Sequence, residues 1–267
     1  MGRHRPLTGP VKVAGIPLEF PTVGAKHVVW DWNGTLLADN VAVVASVNRV
    51  LRDFYPPAPG VECACITCGT PSALSSDGDV VCAGFGRESI TLDHWRSVFS
   101  RPLLDCYQRL LGQPLDAAGW RRVDAVYHDH YRGLLPLCRL ADDAPERLRA
   151  WGERGRTQSL LSMWYHDELV VLVDEFGLTE LFSRIDGLRE DSQGGSKAAH
   201  LAAHLTALDL DPTDVVLIGD VVDDAEAAAH VGASCVLVTT GVMSRAKLEA
   251  TGVPVADSIT EALALLD

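Results

Sequence analysis

Four carboxylates, a hydroxyl and an amine recur at comparable places along this 267-residue sequence. Asp31 ends the apolar run 28–32. Ser162 ends the run 159–162, and Gly219-Asp220 ends the run 215–218, with Asp223 and Asp224 just beyond it. Lys197 opens the helical pattern that precedes the last of these runs. Carboxylates gathered at one edge repel one another unless protons or a cation neutralise them. Oxygen donors on loops suit Mg2+, which keeps several waters and bridges to substrate phosphate. The constellation therefore fits phosphoryl transfer to a carboxylate nucleophile. In this reading Asp31 attacks phosphorus, while Mg2+, Lys197 and Ser162 balance the charge on the equatorial oxygens. Gly34 and Thr35 let the backbone after Asp31 curl around the phosphate and donate N–H groups.

These residues need elements to hold them. The run His27-Val28-Val29-Trp30-Asp31-Trp32 is a buried strand stopped by Asn33-Gly34. Val43, Val44, Val47, Val50 and Leu51 then have helical spacing up to about residue 54. Helical pattern resumes at Thr91, an expected N-cap, and runs to about residue 131. From Pro145 the pattern alternates helix and strand to the end of the chain, closing on a helix with Ser258 and Glu261 at capping-box spacing. Such alternation with very apolar strands predicts an α/β fold with a parallel sheet covered on both faces. Ligands of such sheets sit beyond the C-terminal ends of the strands, where the acidic groups stand.

Composition narrows the function. Lys and Arg total 23 against 36 Asp and Glu, a formal charge of −13. That surface repels nucleic acid, and it repels phosphate substrates too unless a metal inverts the local field. No aliphatic run is long enough to span a membrane, and no apolar stretch follows the basic N-terminal residues, so the expected location is the cytoplasm. Seven cysteines, an odd number, argue against a disulfide framework.

The segments Asp31-Trp32-Asn33-Gly34-Thr35, Ser162, Lys197 and Gly219-Asp220-Val221-Val222-Asp223-Asp224 resemble the four motifs of the haloacid dehalogenase superfamily of phosphohydrolases. The resemblance spans about residues 27–267 and is greatest to phosphoglycolate phosphatase-like proteins. It implies a Rossmann-like core at 27–36 and 141–267, with a mainly helical cap at 37–140 inserted after the first strand. Residues 1–26 are then an N-terminal extension. It further implies Asp31 as nucleophile and metal ligand, the Asn33 carbonyl and Asp220 as ligands of Mg2+, and Asp224 as support for the metal. The substrate class so implied is a small phosphorylated metabolite; oligomeric state is left open.

One position departs from the family pattern. Its phosphatases carry Asp two residues after the nucleophile, to protonate the leaving group, and this chain has Asn33. An amide cannot transfer that proton, which costs about 10²–10⁴-fold in rate. Slow turnover on alkyl phosphates is expected, with a smaller penalty on activated esters, unless His94, His128 or His130 supplies the acid. The alternative is a catalytically weak phosphate-binding or regulatory protein of the same fold. Dehalogenase chemistry is disfavoured because Asp220 and Asp224 are retained, and phosphonate cleavage because residues 36–140 hold no lysine.

Other signals read as structural. Residues 55–85 form a Cys/Pro-rich insertion in which Cys63, Cys65, Cys68 and Cys82 lack the paired spacing of a zinc module. A third reading makes this insertion a partner-binding loop. Cys106, Cys138 and Cys235 are expected as small core residues. Trp164, Tyr165 and His166 are expected to pack under the cap. His200 and His204, four apart, are assigned to a solvated helix face.

Overall fold

A computed structural model describes residues 24–55, 89–189 and 196–267. Most of the Cys/Pro-rich insertion, with its four cysteines, and most of the N-terminal extension lie outside the described residues.

The chain enters the core through β1 (His27–Trp30), a wholly buried strand. It leaves through the short β2 (Leu37–Ala38) into helices α1 (Asn40–Phe54), α2 (Leu92–Val98), α3 (Leu103–Leu111) and α4 (Ala117–Leu134). It returns through β3 (Arg139–Leu140), which pairs antiparallel with β2. Exit and return are thus tied together as a two-stranded ribbon. The remaining elements are α5 (Ala144–Glu153), β4 (Thr157–Tyr165), α6 (His166–Glu175), β5 (Ile185–Leu188) and α7 (Lys197–Ala207). Then follow β6 (Val215–Gly219), α8 (Val222–Val231), β7 (Ser234–Val238), α9 (Arg245–Glu249), β8 (Val255–Ala256) and α10 (Ile259–Ala264).

Six strands form one parallel sheet in the order β5-β4-β1-β6-β7-β8. The expected α/β class and parallel sheet are what the chain adopts. Neighbouring residues of β4 show how both faces are covered, since successive side chains point to opposite faces. Gln158 accepts from Trp30 Nε1 at 3.0 Å and donates to the Leu148 carbonyl of α5 at 2.9 Å. Ser159 points the other way, to His204 of α7. Helices α5 and α7 therefore lie on opposite faces.

The helices begin where local chemistry allows. Thr91 Oγ1 accepts the His94 N–H at 3.2 Å, the expected cap of α2. Asp116 does the same for Gly119 at the start of α4, at 2.7 Å. At α10, Ser258 accepts from the Glu261 N–H, but Glu261 reaches back to the Asp257 N–H and not to that of Ser258. Trp95, Phe99, Tyr107 and Trp120 form an aromatic chain through α2, α3 and α4, with centroids 5.3–6.0 Å apart.

Two expectations are corrected here. Strand β4 continues past Ser162 to Tyr165, with its register against β5 shifting between Leu161 and Tyr165. His204 is not on a solvated face: it is 1% exposed, bonded to Asp186 Oδ2 and Ser159 Oγ at 2.7 Å each. Ser159 also meets His27 Nε2 at 2.8 Å, and His27 Nδ1 meets Thr157 Oγ1 at 2.7 Å. This buried polar chain pins α7, which carries Lys197, onto the sheet. Cys106 and Cys235 are buried and Cys138 is half-buried.

Candidate active site

Strand β1 lies between β4 and β6, and β1 and β6 deliver the carboxylates. The Asp31 N–H still donates to the Ile218 carbonyl at 2.9 Å, so its side chain emerges at the strand ends. Asp220 directly follows β6, and Asp224 lies in the first turn of α8 with Oδ2 accepting the Val221 N–H at 3.1 Å. One oxygen from each of Asp31, Asp220 and Asp224 lies within 4.8 Å of the others, and all three residues are buried. Lys197, at the first position of α7, reaches in, donates to Asp31 Oδ1 and forms an ion pair with Asp224 Oδ1. Asp223 stays outside the cluster, bridged to Arg101 at 3.3 Å.

Three buried carboxylates against one ammonium leave two negative charges uncompensated. Burial pushes the Asp31 carboxyl up to about 7; Lys197 opposes that rise and Asp224 adds to it. Burial, then repulsion from Asp31 and Asp224, holds Asp220 well above the usual carboxylate range. Burial alone would lower Lys197, but Asp224 and Asp31 outweigh it and raise the ammonium above its ordinary value. A site that takes protons so readily fits a divalent cation bound by hard oxygen donors. Asp31, Asp220 and Asp224 are the groups that would hold it.

Two glycines make room for this packing. At Gly34 φ is +73°, and an added Cβ would fall 2.6 Å from Asp220 Oδ2. At Gly241 the added Cβ would fall 1.7 Å from the same oxygen. Asp220 is thus wedged between two backbones, and the Val242 N–H donates to its Oδ2 at 3.2 Å.

Asn33 sits in a polar knot that sequence reasoning missed. Its Nδ2 donates to Tyr131 Oη at 2.8 Å and Asp39 Oδ2 at 3.1 Å, while its Oδ1 accepts from Ser162 Oγ at 3.4 Å. Tyr131 donates to Asp39 Oδ2 at 2.5 Å, and the Gly34 N–H donates to Asp39 Oδ1 at 3.0 Å. Burial raises the Asp39 carboxyl, against the bonds from Tyr131 and Asn33. Position 39, just before α1, was the one local hint; Tyr131 comes from the far end of α4.

The remaining candidates fall as follows. Ser162 is buried beside Asn33 and accepts the Trp164 N–H at 3.1 Å. The Gly34 N–H also bonds the Leu37 carbonyl, and the Thr35 N–H bonds the Trp32 carbonyl. Both N–H groups are thus engaged within the loop. Thr35 Oγ1 is buried with no hydrogen-bond partner among the described residues. His128 bonds the Asp124 carbonyl and packs on Trp164 and Tyr165, His130 meets Ser46, and His94 is exposed. Trp164 packs against Tyr131 at 5.2 Å, the expected aromatic contact with the helical segment.

The family model described as HAD-hydrolase-like matches residues 194–262, which hold Lys197, Asp220 and Asp224. No curated protein matches the chain in sequence. Among solved structures, a haloacid dehalogenase-like family hydrolase from Streptococcus pneumoniae aligns with TM-score 0.67 and 15% identity, over 93% of this chain and 100% of that one. A predicted phosphatase from Clostridium acetobutylicum aligns with TM-score 0.66 and 18% identity, over 89% and 96%. A predicted phosphoglycolate phosphatase from Haemophilus somnus aligns with TM-score 0.65 and 15% identity, over 92% and 99%.

Proposed function

We propose that this chain, which has the fold of the haloacid dehalogenase-like hydrolases and matches their family model over residues 194–262, is a Mg2+-dependent phosphomonoester hydrolase. The observation that carries the reading is the buried cluster of Asp31, Asp220 and Asp224 around Lys197 at the strand ends. Its substrate would be a small phosphorylated metabolite held between the core and a cap made of α1–α4, and its location the cytoplasm.

The chain's own residues divide the work. An Asp31 oxygen attacks phosphorus; the Asp31 O–P bond forms as the bond to the leaving oxygen breaks. Water then attacks phosphorus, the Asp31 O–P bond breaks, and inorganic phosphate leaves. Lys197 steers Asp31 and faces the transferred group with a fixed positive charge. Ser162, whose hydroxyl donates to Asn33 Oδ1 in the structure, offers it to a phosphate oxygen. Mg2+ held by Asp31, Asp220 and Asp224 would supply neutralisation of the charge that builds up at the reacting phosphate.

The proton for the leaving group is the weak point. The Asn33 amide already donates to Asp39 and Tyr131, and it holds no proton to transfer. Aryl phosphates, whose leaving groups depart as anions, should therefore be the better substrates. The same observation favours a second reading, a phosphate-binding or regulatory protein with slow turnover. Hydrolysis of an aryl phosphate with and without Mg2+, by wild type and Asp31→Asn, separates the two. Metal-dependent turnover lost in Asp31→Asn supports the phosphatase. A folded, Mg2+-binding wild type without turnover supports the second reading.

A further inference from the structure

The peptide group between Gly241 and Val242 has a charged partner at each end. Its carbonyl accepts from Arg96 Nε at 2.9 Å, and its N–H donates to Asp220 Oδ2 at 3.2 Å. A trans peptide is a rigid plane whose C=O and N–H point in opposite directions, so fixing one end aims the other. A cation at the carbonyl also polarises the amide and strengthens the N–H as a donor. Arg96 lies on α2, outside the sheet, yet only one peptide plane separates it from a carboxylate of the cluster.

The rest of the loop is gripped in the same way. Arg96 Nη2 donates to the Thr239 carbonyl at 3.1 Å, so the planar guanidinium spans two carbonyls of one loop. Asn40, at the start of α1, donates to the Thr240 carbonyl at 2.6 Å. Thr240 Oγ1 in turn donates to the Gly34 carbonyl at 2.6 Å. Three consecutive carbonyls are therefore held by the helical segment, while the loop's backbone rests on Asp220.

We propose that Arg96 is a positioning residue for Asp220, acting through the 241–242 peptide, so that its hold on that peptide sets how well the carboxylate cluster binds its cation. This rests on the reading of Asp220 as a metal ligand. It gives the helical segment a role in assembling the metal site in addition to enclosing substrate. The sign of the effect separates positioning from plain electrostatics. Removing a positive charge near a cation site should tighten cation binding; losing a brace on a ligand should weaken it.

The test is Mg2+ binding by calorimetry to the full-length protein without substrate, for wild type, Arg96→Ala, Arg96→Lys and Lys247→Ala. Lys247 is the control. It also ties α2 to the core, through the Arg96, Ser97 and Phe99 carbonyls at 2.7–3.0 Å, but it does not touch the 241–242 peptide. Arg96→Ala should raise the Mg2+ Kd about tenfold, the low end for outer partners of metal ligands. Arg96→Lys, which keeps the charge and one donor, should fall between it and wild type. Lys247→Ala should stay within about twofold of wild type, because it leaves Arg96 on its carbonyls. An unchanged or lower Kd in Arg96→Ala, or an equal loss in Lys247→Ala, overturns the proposal while the metal reading stands. A wild type that binds no Mg2+ overturns both.

Discussion

Replacing Asn33 by Asp puts a carboxyl group where the structure has an amide donor. In the wild type Asn33 Nδ2 lies 3.1 Å from Asp39 Oδ2 and 2.8 Å from Tyr131 Oη. In Asn33→Asp an oxygen takes the place of Nδ2, and a half-buried carboxyl faces the buried one of Asp39. They cannot both ionise at that distance, so they share a proton. Asp39 is already held above the usual carboxylate range by burial. Two outcomes follow from the shared proton. First, the variant holds a protonated acid beside Asp31, and hydrolysis of alkyl phosphates should rise by up to about 10²–10⁴-fold, with aryl phosphates gaining far less. Second, stability should fall by about 1–3 kcal/mol near neutral pH, the cost of a buried acceptor left facing another. The pair's folded-state pKa is raised, so the folded form keeps a proton that the unfolded chain releases. The deficit against wild type must then be small at low pH and grow as pH rises through the raised value. Urea melts of both proteins at about pH 5 and about pH 8, beside alkyl phosphate kinetics, read both effects. Equal stability at both pH values, with no gain on alkyl phosphates, would refute the contact geometry and the assignment of position 33 together.

Burial, with a smaller push from His204, holds His27 down to about 4, from 6.5. The unfolded chain therefore takes up a proton that the folded state refuses. Stability should be full above about pH 6.5 and fall by about 3 kcal/mol as pH drops toward 4, a slope that His27→Gln should remove from urea melts. Asp186, where bonds from His204 and Arg184 overcome burial and hold the carboxyl at about 2, affects stability only at lower pH, below its ordinary 3.8. Lys197→Met leaves three buried carboxylates without their ammonium; melts in chelator should show a loss of about 3–5 kcal/mol, together with loss of turnover. Gly241→Ala drives a methyl group onto Asp220 Oδ2, and its Mg2+ Kd measured by calorimetry should rise at least about tenfold.

The parallel sheet was legible because its strands are buried on both faces and read as short apolar runs, as at 28–30 and 215–218. Asp31 and Asp220 were legible because each follows such a run directly, and Lys197 because it opens a clear helical pattern. The same double burial concealed where β4 ends, since no alternation marks the register shift around Ser162. His204 was misplaced because its partner Asp186 is 18 residues away on β5, and pairing across elements leaves no local trace. Likewise Tyr131 meets Asp39 across 92 residues and Asn33 across 98. Loop 239–242 carries no charged or periodic signal in the sequence, although its backbone braces Asp220. Apolar periodicity places a backbone; contacts between side chains distant in sequence are set by how the helical segment docks on the sheet.

The central claim is that Asp31 carries the phosphoryl group during turnover. Rapid acid quench of the protein with an aryl phosphate and Mg2+, followed by peptide mass spectrometry, tests it directly. The account predicts one phosphoryl adduct on the peptide containing Asp31, formed while substrate lasts and absent from Asp31→Asn. Turnover without that adduct, or turnover that persists in Asp31→Asn, would contradict it.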